Sequence, residues 1–305
     1  MWILLSGIYL GGTLGANDAA NVFGTAVTTH SIKFKTAIAL SIIFIPLGAY
    51  LEGAAGMETL GALADQTLWT AFSSSLAAAL TMTLMTIWKL PTSTSQAVVG
   101  AIIGSSFLRS SVNFSPLKKI TLAWFFTPIG ALIIAYSLYK IYLAFVEPHI
   151  KNIVHFEFYI KTGLIISGIY GAYSLGANNV ANVMVVYVEA DLFDPQVGSL
   201  IGGISIAIGT LFSRRVMQTV GSKLTLLTPL TALIALLAHS LTLYSYAKIG
   251  IPVSSSQAIV GGVIGVGLVK GAHMLDWETA KKILFGWVGT PITAGIIGML
   301  LSKLF

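Results

Sequence analysis

Gly15-Ala16-Asn17-Asp18-Ala19-Ala20-Asn21 recurs 161 positions later as Gly176-Ala177-Asn178-Asn179-Val180-Ala181-Asn182, each copy inside a long apolar stretch. Amides and a carboxylate are expensive in such a place, and polar clusters repeated at membrane depth mark transport sites. A second pair keeps the same 161-residue interval: Pro91-Thr92-Ser93-Thr94-Ser95-Gln96, followed by Gly100 and Gly104, returns as Pro252-Val253-Ser254-Ser255-Ser256-Gln257, followed by Gly261 and Gly265. The match extends to Ser6-Gly7-Ile8-Tyr9 against Ser167-Gly168-Ile169-Tyr170. After a two-residue slip it takes in Trp124 with Thr127-Pro128 against Trp287 with Thr290-Pro291. Unrelated motifs in one register mean that the chain is one unit written twice.

Composition says where that unit lives. With 55% hydrophobic and 9% charged residues and a mean hydropathy of +0.86, the chain has too few charges to cover a soluble globule of 305 residues. Apolar stretches near the roughly 20 residues of a spanning helix cover about 2 to 27, 37 to 56, 68 to 88, 91 to 108 and 120 to 146. Their partners cover about 162 to 188, 196 to 213, 224 to 249, 252 to 270 and 283 to 305. The expected architecture is an all-α integral membrane protein of the cell membrane. Its first repeat is 1–146, its short linker 147–161 and its second repeat 162–305. The first stretch lacks a basic leader and carries a repeated motif, so it reads as a span and not as a cleaved signal. There are no cysteines, which excludes disulfides and thiolate metal sites. The formal charge of +6 is scattered over short loops, without the stripe or interleaved aromatics of a nucleic-acid binder.

The loop charges give a direction. Lys33 and Lys35 follow the first asparagine motif, whereas Glu189, Asp191 and Asp194 follow the second; the next loops reverse, with Glu58 and Asp65 against Arg214, Arg215 and Lys223. Because Lys and Arg favour the cytoplasmic side, equivalent loops are expected on opposite faces. That makes the halves inverted-topology repeats around a midplane site, with an external N-terminus and an internal linker. Each half then crosses an odd number of times. Five spans satisfy this, and so do three spans plus a re-entrant hairpin with Pro91 near its tip; Lys89, Arg109, Lys118 and Lys119 give mixed guidance on orientation.

In Asn17-Asp18-x-x-Asn21 the two asparagines face one way on a helix and Asp18 points to one side. Gly15 and the amide run weaken the helix, so a local break exposing carbonyl oxygens is expected there. Such hard oxygens suit Na⁺, or Asp18 carries a proton; the competing structural reading is that the amides clamp neighbouring helices. The Pro-Thr-Ser-Thr-Ser-Gln run has the form of a helix start. A helix start at membrane depth offers free N–H groups and a positive dipole end, which hold an anion without Arg or Lys. Ser93, Thr94, Ser95, Ser254, Ser255 and Ser256 add hydroxyls and Gln96 and Gln257 amides, against the plainer role of N-capping, which explains one hydroxyl in each run. The Gly-x-x-x-Gly pairs read as packing positions. His239 stands alone in an apolar helix where the first half has Ala78; a hydrogen bond between helices is its simpler reading and a proton relay the alternative. Pro46, Pro128 and Pro291 read as kinks, the last two also as hinges.

On these motifs, over nearly its full length, the chain resembles the inorganic phosphate transporter (PiT) family, secondary carriers that couple phosphate to Na⁺ or H⁺. The resemblance implies inverted halves, a central site and broken or hairpin helices with hydroxyls at their tips. It makes a homodimer the expected assembly. By position it assigns Asn17, Asp18, Asn21, Asn178, Asn179 and Asn182 to Na⁺, and Ser93, Thr94, Ser95, Gln96, Ser254, Ser255, Ser256 and Gln257 to phosphate. The family usually has Asp in both asparagine motifs, and here the second has Asn179. An amide ligates Na⁺ more weakly than a carboxylate and cannot carry a proton. It also removes an acceptor for the proton that phosphate retains and sulfate lacks. The long hydrophilic loop of many relatives is reduced to about 147 to 161. The expectation is therefore a Na⁺-coupled phosphate importer working by alternating access and no enzyme, since an intramembrane hydrolase needs a positioned base beside its serine. Sulfate carriage, H⁺ coupling and an uncoupled anion channel are the alternatives.

Overall fold

The computed structural model describes residues 2–88, 92–107, 112–214, 216–217, 227–271 and 275–304. Pro91, Lys89, Arg109, Arg215 and Lys223, which entered the sequence argument, lie outside the described residues. Every regular element among those described is a helix. The first half contains α1 (Leu4–Thr28), α2 (Phe34–Glu52), α3 (Ala55–Gly61), α4 (Leu68–Ile87), α5 (Thr94–Ser106) and α6 (Ser115–Ile141), which continues through a π turn (Tyr142–Val146) and a 3-10 turn (Glu147–His149). The second contains α7 (Ile153–Val188), α8 (Pro195–Gly209), α9 (Pro229–Lys248), α10 (Ser255–Lys270) and α11 (Trp277–Leu301). Six helices among the described residues are long and apolar enough to cross a membrane. Several begin earlier than the apolar stretches, because the capping residues lie beyond the hydrocarbon: Asn152 accepts from Val154 and His155 N–H, and Asp276 from Glu278 and Thr279 N–H.

Local structure repeats with the sequence. Thr67 and Thr70 form a capping box at the start of α4, and Thr228 and Thr231, 161 positions on, form the same box at the start of α9. Ser93 accepts the Gln96 N–H at the head of α5 as Ser254 accepts the Gln257 N–H at the head of α10. With 13 and 16 residues, α5 and α10 extend about 20 and 24 Å, less than the ~30 Å of a hydrocarbon core. Each packs along the helix before it, α5 on α4 and α10 on α9, so each pair forms a hairpin with the serine run at its turn. In the second hairpin Gly250 (φ +67°) ends α9, with the Ile251 N–H on the Tyr246 carbonyl at 3.0 Å and the Gly250 N–H on that of Ala247. This helix stop needs a residue at ease with positive φ.

The halves interlock by exchange: α1 packs on α8 and α7 on α2, while α5 packs on α11 and α10 on α6. Glycines set these approaches. A Cβ on Gly15 would collide with the Ile206 carbonyl, and one on Gly176 with the Ile45 carbonyl; Gly100 meets the Pro291 carbonyl in the same way, and Gly261 that of Pro128. Gly15 and Gly176 are thus where backbones touch, and α1 and α7 run through both asparagine motifs unbroken. The local break expected there does not occur, because neighbouring helices supply the amides' partners and the glycines serve packing.

The amides and the carboxyl of the two asparagine motifs are inside, and many large apolar side chains face outward. Asp18 and Asn179 are fully buried, whereas Phe285 is 79% and Phe212 73% exposed, the reverse of a soluble protein and the arrangement lipid requires. Two sets of loop charges gather like with like. Arg214 lies over the Phe34 ring at 5.7 Å, beside the Lys33–Lys35 loop. At the ends of other helices Glu189 sits close to Asp65 and Asp191, and burial first, then those two carboxylates, raise its carboxyl above the usual range.

The glycine contacts lead to a direct expectation. Gly100→Ala or Gly261→Ala pushes α5 from α11 or α10 from α6 and destabilises the fold by about 1–3 kcal/mol. Gly130→Ala, at a position with nothing within 4 Å of the new Cβ, leaves stability unchanged. Thermal unfolding in detergent, followed by size-exclusion chromatography, checks the contrast.

Candidate functional site at the meeting of the two hairpins

The two serine runs touch. Ser95 Oγ donates to the Val253 carbonyl at 2.8 Å, and Asn182 Nδ2 of α7 donates to the same Ser95 Oγ at 2.9 Å. On the other side Asn21 Nδ2 of α1 donates to Ser255 Oγ at 3.3 Å. Each asparagine helix thereby reaches the hairpin of the opposite half. Thr94 Oγ1 donates to Asp18 Oδ2 at 3.1 Å, and Asn21 Nδ2 donates to Asp18 Oδ1 at 3.2 Å. The equivalent pair in α7, Asn182 Nδ2 to Asn179 Oδ1, is 2.9 Å. Asp18, Asn21, Asn179, Asn182, Thr94, Ser95 and Ser255 therefore form one buried cluster of oxygen and amide groups drawn from α1, α5, α7 and α10.

The hydroxyls divide by task. Ser93 and Ser254 cap their helices as sequence reasoning allowed for one residue per run, and Ser254 Oγ also lies 3.0 Å from Ser256 Oγ. In the first turn the N–H groups of Thr94, Ser95, Ser255 and Ser256 have no acceptor within their own helix, and the side chains of Thr94, Ser95 and Ser255 put both positive dipole ends beside the cluster. Gln96 and Gln257 follow them, each with a buried Oε1 that has no hydrogen-bond partner. Asn179 Nδ2 and Asn182 Oδ1 are likewise buried and unpartnered. Unmatched polar atoms at such depth cost about 1–3 kcal/mol each, and their concentration here suits a place where a ligand exchanges with protein groups.

Asn17 and Asn178 face different neighbours from the rest. Asn178 accepts the Val253 N–H at 2.9 Å and donates to the Ile251 and Leu243 carbonyls at 3.1 and 3.4 Å. It fastens the second hairpin's turn to α7, as the clamp reading had it. Asn17 donates to Thr86 Oγ1 at 3.1 Å, near the end of α4. The four-residue spacing put Asn17 and Asn21 on one side, but a helix crowded by several partners lets each find its own.

Other contributors carried no motif. The Val253 carbonyl receives Ser95, and His239 Nε2 lies 2.9 Å from Ser255 Oγ. Away from the cluster, Glu52 Oε1 accepts from Tyr173 and Tyr244 hydroxyls at 2.8 and 3.2 Å, and its Oε2 lies 3.2 Å from Lys248 Nζ. This ties the end of α2 to the end of α9 across the halves. Neither residue type nor spacing announces it, because the partners are more than 100 positions apart.

Comparison with known proteins agrees with this arrangement. A family model described as the phosphate transporter family matches residues 14–298. A protein of Methanocaldococcus jannaschii, provisionally named a phosphate permease, is 33% identical over 302 residues, covering 99% of this chain and 96% of the relative. A sulfate permease of Bacillus subtilis is 28% identical over 309 residues, covering 99% of this chain and 87% of the relative. A solved structure described as the sodium-dependent phosphate transporter superposes with a TM-score of 0.87 at 22% identity, covering 100% and 99% of the two chains; at that identity the likeness speaks for the fold. With its duplicated asparagine motif and paired serine hairpins buried among lipid-facing helices, the chain is a multi-pass membrane protein that belongs to the phosphate transporter family.

Proposed function

We propose that this protein imports inorganic phosphate with Na⁺ by alternating access. The observation that carries the reading is the contact between the two hairpin turns, Ser95 Oγ on the Val253 carbonyl at 2.8 Å, with Asp18 and Asn182 hydrogen-bonded beside it. Two helix N-termini directed at one point supply N–H donors and positive dipole ends for an oxyanion, with hydroxyls from Thr94, Ser95, Ser255 and Ser256 and amides from Gln96 and Gln257. Asp18, with the amide oxygens of Asn21, Asn179 and Asn182, supplies the hard oxygens for Na⁺. Asn178 holds the second turn in place, and Asn17 ties α1 to α4. Cation and anion offset each other's charge, so each raises the other's affinity, and that linkage is the coupling.

The repeats 1–146 and 162–305 are read as inverted halves joined by 147–161. The sorting of Arg214 with the Lys33–Lys35 loop and of Asp65 with Glu189 favours this. The exchange of α1 and α7, and of α6 and α11, then gives two interlocked bodies able to rock about the site, and the Glu52–Lys248 pair would part when one face opens.

A second reading has a specific basis. Asn179 stands where a second carboxylate is expected, and the Bacillus relative is named a sulfate permease. Without that carboxylate, the site loses an acceptor for phosphate's remaining proton, which sulfate does not have. Uptake of labelled phosphate into proteoliposomes, driven by an imposed Na⁺ gradient, separates the readings. The proposal expects accumulation against the gradient, inhibited by unlabelled phosphate and arsenate more than by sulfate. Stronger inhibition by sulfate moves the assignment to sulfate, and equilibration without accumulation makes the protein a channel.

Asp18→Asn is expected to lower Na⁺-driven uptake by at least about tenfold, since a buried charge-assisted ligand contributes on the order of 1.5–3 kcal/mol, while leaving membrane insertion intact; initial rates against Na⁺ concentration show it. The chain has no native cysteine, so Lys35→Cys and Asp194→Cys can be labelled one at a time in right-side-out vesicles. An impermeant maleimide should modify position 194 and spare position 35; labelling of both from one side would exclude the inverted arrangement.

A further inference from the structure

The halves depart from their symmetry at two positions that act on one hydroxyl. In the first half Thr94 is held by the Asp18 carboxylate, and residue 78, 161 positions before His239, is Ala. In the second half the counterpart of Thr94 is Ser255. There the carboxylate has become Asn179, the alanine has become His239, and the imidazole Nε2 lies 2.9 Å from Ser255 Oγ. One half carries an acid and a methyl group where the other carries an amide and a base. His239 is fully buried, and its Nδ1 is buried without a hydrogen-bond partner. Through Ser255 and Asn21 it is joined to Asp18 by an unbroken run of hydrogen bonds.

We propose that His239 is a proton-binding site that takes the place of the second-half cation, so that one H⁺ accompanies the oxyanion where a symmetric carrier would use a further Na⁺. The inference rests on the transport reading above. An amide at position 179 attracts a cation weakly, but an imidazolium brings a positive charge without needing a carboxylate to hold it. A buried imidazolium is costly on its own. An oxyanion between the hairpin turns offsets that cost, and the imidazolium in turn strengthens anion binding by the same factor. The proton is taken from the medium on the side where the anion enters and bound at a ring nitrogen; no other bond changes.

Other titratable groups on the helices packed against α9 are committed elsewhere or lie at helix ends. On α1 Asp18 is the group linked to His239, and Tyr9 bonds Thr83. On α7 the Tyr173 hydroxyl bonds Glu52, Tyr187 bonds Ser6, and Tyr170 stacks near Tyr244 at 5.3 Å, with His155, Glu157 and Lys161 in its opening turns. On α6 Lys118 and Lys119 lie in the opening turns, Lys140 sits over Tyr136 and Tyr139 against Tyr142; Lys270 ends α10, and Glu58 is on α3. Asp18 is thus the competing source of pH dependence, and it remains in a His239 variant.

The test is uptake and binding between pH 5.5 and 8.5, using phosphate and sulfate as probes, at saturating Na⁺. Sulfate does not titrate in this range, so any change in its affinity belongs to the protein. For wild type the apparent affinity should fall by up to about tenfold per pH unit as the imidazole loses its proton, and anion binding in weak buffer should take up about one proton more than in His239→Gln. His239→Gln keeps a partner for Ser255 and should flatten the pH profile. The double substitution Asn179→Asp with His239→Ala restores first-half chemistry in the second half; it should lose the same part of the pH dependence as His239→Gln, leaving that of the carboxyl groups, and gain a steeper dependence on Na⁺. Normal uptake with the same pH profile and proton uptake in wild type and His239→Gln overturns this inference alone. Absence of uptake of either anion by wild type at every pH overturns it together with the transport reading.

Discussion

A carboxyl group placed among hydrocarbon has no water to solvate it, and everything at the centre of this protein follows from how Asp18 is accommodated. Isolated, its ionised form would cost several kcal/mol even after relaxation. Here both oxygens accept hydrogen bonds, one from Asn21 on the same helix and one from Thr94 on the first hairpin. Thr94 can reach it only if α5 begins beside the centre of α1. That in turn requires α5 to stop short of a full crossing and its hairpin turn to lie deep. The short helix, the hydroxyl residues at its head and the glycines that let α5 lie against α11 together bring a hydrogen-bond donor to this buried carboxyl group.

Duplication makes that arrangement stable. A single half would leave the lower faces of α1, α2, α5 and α6 uncovered. The second half supplies the same surfaces in exchange, with the Gly15 and Gly176 contacts on Ile206 and Ile45 and the Gly100 and Gly261 contacts on Pro291 and Pro128. Because helices of each repeat also pack on those of its twin, the buried polar cluster lies between the two halves. Asn178 adds a direct link, holding the Ile251 and Val253 backbone of the second turn to α7.

Where the two halves differ, the difference is chemical and local. Positions 18 and 179 differ by an oxygen and a nitrogen, yet the first can bear a charge and the second only a dipole. Ser255, lacking an acid opposite it, faces an imidazole instead. Pseudo-symmetry keeps the backbone of both motifs alike, so two side chains change the local chemistry without altering how the helices pack.

Much of this was legible in the residues. The 161-residue interval, the membrane environment and the convergence of Asn21, Asn182, Thr94, Ser95 and Ser255 follow from repetition and from the cost of polar groups in lipid, both of which are properties of the chain alone. Helix continuity was not legible: Gly15 beside a row of amides reads as a weak point, and only the Ile206 backbone lying against it shows a packing site. The short α3 and the Glu52 contacts with Tyr173, Tyr244 and Lys248 were equally hidden; a hydrogen bond between helices was expected of His239, but not that Ser255 would be its partner. Sequence by itself determined that there are two copies and which side chains must be paired inside the bilayer, because burial without a partner is prohibitive there. Which partner each side chain takes was decided by the tertiary structure, since hydrogen bonds act over about 3 Å and only the folded helices bring residues far apart in the chain within that distance.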